Sequence, residues 1–276
     1  MRPARAFYVT VLLTIAVCSS SSPAISFNQA DDFQDGTTQG WGGNRLGALA
    51  NVADGGPLGP GDRYFEVAIS GYHLGTMNTN QWTGDYLAAG IEAIEMDLNR
   101  YASSADEVRM RILLLGPGGT WASAQLTPPV TTNSWSHHVF GLSTNDLVHV
   151  TGSFKVPDGT GVLEDTLQNV TQLLIRHDRA TPTIPGNHPP HITATLGIDN
   201  IHAVLRQPVI TDLAVTAGVA SVGIGDLVTG TSNVIEESES LVNPDWTNRL
   251  AFITSGTTTN LDVSAGGGVG HFRVKL

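Results

Sequence analysis

The chain has 276 residues, of which 41% are hydrophobic and only 14% are charged. This composition excludes a disulfide miniprotein, a coiled coil and a charge-driven disordered chain, and the length is enough for two compact domains. There are 14 Lys and Arg residues against 25 Asp and Glu, a formal net charge of −11, and no basic run. We therefore expect no nucleic-acid partner.

The N-terminus has the pattern of a secretory signal peptide. Two arginines precede an apolar stretch at 6–17, and small residues follow up to Ala24. The apolar run of about a dozen residues is shorter than a membrane-spanning helix needs, and no other candidate span follows. The sequence predicts a signal peptide over 1–24 and a secreted protein, extracellular or periplasmic. Cys18 is removed with it, so the mature protein has no disulfide.

Residues 27–206 are predicted to form short strands joined by turns rich in Gly, Pro and Asn. Apolar and polar side chains alternate over 64–69 and again over 108–114, the pattern of half-buried strands. The same interpretation covers three further segments: 135–142, 170–177 and 196–204. Strands at these intervals indicate a β-sandwich or a barrel.

One segment of this region is ambiguous. The side chains of 87–101 fit either a helix or a strand, and we interpret the segment as a strand because its neighbours are all β.

A new series of short apolar segments begins near Gln207. We therefore predict that 207–276, about 70 residues, forms a separate small β domain.

Catalytic patterns are weak. Acidic residues are plentiful, but nothing in the sequence places two of them across a bond, as a glycosidase requires. There is no Gly-x-Ser-x-Gly elbow and, after signal cleavage, no cysteine nucleophile. The adjacent His137 and His138 point to opposite faces of a strand, which is unsuited to zinc. We predict no catalytic residues and no enzyme activity.

Aspartates suggest a calcium site. Asp31, Asp32 and Asp35 cluster at the first mature strand, Asp54 and Asp62 flank a Gly- and Pro-rich turn, and Asp199 lies in the last strand of the first domain. If the first and last strands pair, these carboxylates could converge with turn carbonyls into the six to eight oxygens that calcium takes. The alternative is that they are ordinary turn aspartates that cap backbone amides.

Aromatic residues are the other candidates for a function. Trp82, Tyr86 and Trp121 lie in polar, turn-like surroundings where a ring could stack on a sugar, so we expect them to bind a ligand. Trp41 and Trp135 are expected mainly to pack in the core.

Four motifs carry a resemblance to a known family. They are DDFQDGTTQGW at 31–41, GGPLGPGDRYFEV at 55–67, QWTGDYLAAGIEAIEMDL at 81–98 and LGIDNIHAV at 196–204. Together they resemble secreted bacterial jelly-roll modules of the galactose-binding kind, related to carbohydrate-binding modules. The resemblance implies a structural calcium held by Asp32, Asp62 and Asp199, and a ligand on the concave face or in loops at one rim.

The last 70 residues resemble a small fibronectin-like β domain found at the ends of exported bacterial proteins, with Trp246 and Phe272 as its core pair. The resulting expectation is an all-β protein, a jelly-roll β-sandwich followed by a smaller Ig/fibronectin-like β-sandwich. Its expected function is non-catalytic binding of a polysaccharide or glycan. Two alternatives remain open: a structural or adhesive extracellular protein, and a glycosidase or polysaccharide lyase built on a sandwich.

Overall fold

The computed structural model describes residues 24–27, 29–43, 47–151, 158–179, 190–216, 219–228, 231–238, 246–264 and 271–275. The predicted signal peptide and Cys18 lie outside these ranges, except for Ala24. The elements of the first part are β1 Ala30–Asp31, β2 Ala48–Val52, β3 Tyr64–Tyr72, β4 Gly75–Asn78, β5 Ile91–Arg100, β6 Met110–Gly116, β7 Gly119–Ser123, β8 Ser136–Gly141, β9 Leu147–Val150, α1 Leu163–Leu167, β10 Gln172–His177 and β11 Ile192–Leu205.

These strands form a jelly-roll β-sandwich, as the sequence predicts. One sheet has six strands in the order β2-β3-β11-β5-β8, with β1 paired to β11, and the other has five in the order β4-β10-β6-β7-β9. Apolar side chains of both sheets fill the space between them. Among the described residues, no helix has the length and apolar character that crossing a bilayer requires.

Strand alternation decides which side chains enter this core. In β3 the buried Phe65 and Val67 flank Glu66, which is only partly buried and points the other way. Residues 91–100 of the ambiguous segment are a strand, β5, as predicted, whereas 87–90 form a turn; β5 buries Ile94, Met96 and others against the opposite sheet. β5 therefore has an apolar side toward the core and carries the polar Glu95, Asp97 and Asn99 on its other side.

The first and last strands of the sandwich pair, as expected. β1 runs antiparallel to β11, with Ala30 opposite His202. Asp31 of β1 is buried, and its carboxylate accepts hydrogen bonds from the indole N–H groups of Trp41 (2.7 Å) and Trp82 (2.6 Å). Burial raises the pKa of Asp31, while the two indole donors favour its charged form.

The remaining strands form two three-stranded sheets, β12-β13-β16 and β15-β14-β17. Their bounds are β12 Val209–Thr216, β13 Val219–Gly225, β14 Ser232–Ser238, β15 Thr247–Ile253, β16 Thr259–Ser264 and β17 His271–Lys275. A second apolar cluster, which includes Val222 and Ile235, lies between them, in line with the predicted smaller sandwich. Phe272 packs against this cluster, whereas Trp246 lies under the Arg273 guanidinium, 4.2 Å from the ring centroid.

Candidate functional site on the six-stranded sheet

The side of the six-stranded sheet that faces away from the core is polar. Strand register places its side chains in rows: Glu66 beside Gly197 and Asn99, Asp97 beside Asp199 and His137, and Glu95 beside His202. We call this surface the outer face; its residues are Glu66, Glu95, Asp97, Asn99, His137, Gly197, Asp199 and His202. Its exposed imidazoles and partly exposed carboxylates offer donors and acceptors that are suited to hydroxyl groups.

An aromatic group borders the outer face just before β8. Trp135 is half-buried, and its indole N–H donates to the Gly55 carbonyl oxygen at 3.0 Å. The buried Tyr64 meets the indole edge to face, with ring centroids 5.3 Å apart and an interplanar angle of 74°. Tyr101 in turn stacks on Tyr64 at 5.8 Å. The indole is therefore fixed by a hydrogen bond and by an aromatic contact.

Gly197 allows the indole to lie close to the sheet. A Cβ at this position would lie 2.8 Å from Cη2 of Trp135, and so the ring would have to shift. The neighbouring Asn99 is buried, and its Oδ1 has no hydrogen-bond partner.

Histidines and carboxylates continue the surface beyond the aromatic group. The two carboxylate oxygens of Glu95 lie 3.5 Å from His137 Nε2 and 3.4 Å from His202 Nδ1. His137 Nδ1 also lies 3.1 Å from Asp97 Oδ1. Both imidazoles are about half-exposed, at 55% and 51% of their side-chain surface. Their ring nitrogens and the carboxylates are therefore accessible to a ligand from solvent.

Asp199 is the most perturbed carboxylate of this surface. It is 1% exposed, and Oδ1 accepts a hydrogen bond from the Asn200 amide, whereas Oδ2 has no partner. Burial, together with the negative charges of Asp62, Asp97 and Asp32, raises its pKa to about 7. The negative charge around Asp199 is therefore not fully neutralised by hydrogen-bond donors of the described residues.

The three aspartates predicted to hold calcium come to the same corner of the sandwich. A Cβ built on Gly56 would lie 2.5 Å from Asp62 Oδ2 and 3.1 Å from Asp199 Oδ2, so both carboxylates lean on this residue. Asp32 contributes nearby through Gln34, whose Nε2 donates to the Asp32 carbonyl oxygen (3.0 Å) and to Asp62 Oδ1 (2.8 Å). Within the described ranges, no group of three His, Cys, Asp or Glu side chains that could hold a metal ion is found.

The aromatic residues assigned to ligand binding from the sequence are buried. Trp82 and Tyr86 have no exposed surface and Trp121 has 9%, because all three pack in the main core. A sugar can stack only on an exposed ring face, so a stacking role for these positions is wrong. Polar flanking residues misled the prediction, since Trp82 points inward to Asp31 and the Tyr86 hydroxyl donates to the carbonyl oxygen of Trp82.

Sequence reasoning missed Trp135 and Tyr101 as surface candidates. Trp135 was expected mainly to pack in the core, yet it is only half-buried. The exposed position of Trp135 could be identified from its neighbours Asn99 and Gly197, which lie opposite each other on adjacent strands. This pairing is known only from the strand register of the structure.

The outward side of the five-stranded sheet differs from the outer face. It carries a small buried apolar cluster that includes Leu113 and Val150. It also carries two neighbouring guanidinium groups, Arg111 and Arg176, each 3.3 Å from the same oxygen of Asp178. All three of these charged side chains are 0–11% exposed, so they are poorly accessible to a ligand. We therefore place the candidate site on the six-stranded sheet, where the imidazoles are about half-exposed.

Several solved structures are similar to this chain. One is the family 11 carbohydrate-binding module from Clostridium thermocellum in complex with a β-1,3-1,4-mixed-linked tetrasaccharide, at 18% identity and a TM-score of 0.42; the match covers 63% of this chain and 93% of that chain. Another is the CBM22-1–CBM22-2 tandem domain of Paenibacillus barcinonensis Xyn10C, at 11% identity and a TM-score of 0.42, covering 92% of this chain and 90% of that chain.

A third similar structure is an exo-β-agarase, at 13% identity and a TM-score of 0.44, where the match covers 63% of this chain and 24% of that chain. No model of a protein family and no curated protein matches the sequence. Identities of 18% or less and TM-scores of 0.44 or less mean that these names describe the neighbours and not this chain.

Proposed function

We propose that this protein is a secreted, non-catalytic carbohydrate-binding protein and that it binds a polysaccharide or glycan on the outer face. The observation that carries the proposal is the half-buried indole of Trp135, fixed at the border of a row of partly exposed carboxylates and imidazoles. A sugar offers an apolar face to such a ring and equatorial hydroxyl groups to the polar side chains.

The shape of the surface determines the expected affinity. The outer face is a side of a sheet and not a closed cavity, so hydroxyl groups and side chains remain partly hydrated in the complex. Net gains per hydrogen bond are small in such surroundings, about 1 kcal/mol. We therefore expect modest affinity for a single sugar unit. Retention on a polymer would come from repeated contacts along it, and the polymer would not be cleaved.

We also propose that calcium stabilises the corner formed by Asp32, Asp62 and Asp199. Two observations support the fit: Asp199 Oδ2 is buried without a partner, and burial, together with the surrounding aspartates, raises the pKa of that carboxyl. The carbonyl oxygens of Asp32 and Arg63, both within 3.1 Å of Gln34 Nε2, add oxygens of the kind calcium prefers. When bound, the ion would supply positive charge; the aspartates and carbonyls would hold it.

A second candidate function is a structural or adhesive extracellular protein without sugar binding. The complete burial of Trp82 and the near-complete burial of Trp121 favour it, because these rings serve the core. The two candidates differ in one respect that can be measured, namely whether the purified protein is retained by any glycan.

Affinity electrophoresis with soluble polysaccharides tests the leading proposal. Trp135→Ala should lose retention on whichever polysaccharide retards the unchanged protein, while Trp246→Ala, the matched control in the second sandwich, should keep it. Thermal unfolding of both variants shows whether the fold persists. Equal retention of Trp135→Ala and the unchanged protein, with both folded, would remove the outer face as the binding surface.

A further inference from the structure

A groove at one end of the sandwich has a composition different from the outer face. It has a volume of about 600 Å³ and lies among the start of β5, the end of β8 and helix α1. This volume is in the usual range for a small-molecule site. Its floor is aliphatic and is formed by Leu87, Ile91, Leu142, Leu163 and Leu167.

The rim of this groove is acidic. Glu92, Asp146 and Glu164 line it, and the first and last of these come from β5 and α1 respectively. Among the described residues that line the groove, Arg206 is the only cation, and its guanidinium lies 3.6 Å from Asp226 outside the groove. The lining therefore carries an excess of negative charge over an apolar floor.

We propose that this groove binds a saccharide unit with a free ammonium group, as in a deacetylated amino-sugar polymer. The aliphatic floor would cover the apolar face of the pyranose ring, and the acidic rim would accept hydrogen bonds from the ammonium group. Charge-assisted hydrogen bonds of this kind are roughly twice as strong as neutral ones. Thr144 is exposed at the same rim and offers a hydroxyl group to the sugar, whereas the Ser143 hydroxyl donates to Asp146 Oδ2 at 2.6 Å.

The inference rests on the proposed function, because it takes the ligand to be a saccharide. A lysine side chain of a protein partner would also complement the charge. The breadth of the floor, five aliphatic side chains, matches the face of a ring better than a single flexible methylene chain. No residue that the structure describes in the lining belongs to the outer face, so the two surfaces can be varied separately.

The full mature chain is titrated at about pH 5.5 with three tetramers: glucosamine, N-acetylglucosamine and a neutral glucan. The charged sugar should bind at least about tenfold more tightly than its acetylated form, since loss of the charge removes the rim contacts. Glu92→Gln and Glu164→Gln should each abolish most of this preference. Glu107→Gln, an exposed acid paired with Arg109 elsewhere, is the control and should keep it.

Each outcome separates the two proposals. Equal affinity for the charged and acetylated tetramers, or an unchanged preference in both Gln variants, overturns the groove proposal and leaves the outer face untouched. A lysine tetrapeptide that binds with the same Glu92 and Glu164 dependence while glucosamine does not also overturns it, in favour of a protein partner. Binding of glucosamine that survives Trp135→Ala but fails in the Gln variants supports the groove.

Discussion

Replacing Asp199 by Asn should stabilise the calcium-free protein above neutral pH. The pKa of this carboxyl rises from 3.8 to about 7 on folding, chiefly because it is buried. At 1.36 kcal/mol per pKa unit, charging it in the folded state costs about 4 kcal/mol, an upper value because the surroundings can relax. Asn keeps the acceptor for the Asn200 amide and removes the charge.

The direction follows from proton uptake. Because its folded pKa is raised, Asp199 holds a proton in the folded state between about pH 4 and pH 7 that the unfolded chain has released. Its contribution to the free energy of unfolding is therefore full below about pH 4 and is lost as the pH rises to 7. The difference between Asp199→Asn and the unchanged protein should grow by about 2–4 kcal/mol over this range.

The assay is urea unfolding in a chelator, followed by fluorescence of the buried tryptophans, at pH 4 and pH 8. Asp212→Asn, an exposed position on β12, is the control and should change little. Calcium at 100 times its dissociation constant should then stabilise the unchanged protein by about 2.7 kcal/mol and leave Asp199→Asn unaffected. An unchanged protein that is at least as stable as Asp199→Asn at pH 8 in chelator would refute the reasoning.

Three other predictions concern single contacts. Gly197→Ala should displace the Trp135 ring and weaken polysaccharide retention about as much as Trp135→Ala does, with little change in unfolding temperature. Full retention by Gly197→Ala would contradict the close contact between Gly197 and the ring. Asp31→Ala should cost roughly 2–3 kcal/mol in urea unfolding, because two buried indole N–H groups lose their acceptor, and a cost near zero would contradict this. Asp178→Asn leaves two buried guanidinium groups without their carboxylate and should cost about 3–5 kcal/mol, whereas Glu107→Gln at an exposed pair should cost less than about 1.

The alternation of side chains made most of the sandwich predictable. β3 and β11 were found because one side of each strand is apolar and the other polar. β7 was missed because Gly119–Ser123 is buried on both sides, which leaves no alternation to detect. β1 has only two residues, too few to show alternation, so the sequence placed a first strand near Asp32 but could not give its bounds.

The candidate site was less predictable, because exposure depends on which segments meet. The sequence correctly suggested that the first and last strands of the first domain pair, and this brings Asp32 near Asp199. It could not show that Trp82 points into the core while Trp135 lies at the surface, since both have polar neighbours in the sequence. Their difference comes from tertiary partners, Asp31 for Trp82 and Gly197 for Trp135.

A glycan array probed with the mature protein, with and without calcium, tests carbohydrate binding most directly. We predict binding to at least one polysaccharide or glycan, and loss of that signal in Trp135→Ala. An array with no bound glycan under either condition, from protein shown to be folded, would contradict the proposed function and favour a structural or adhesive role.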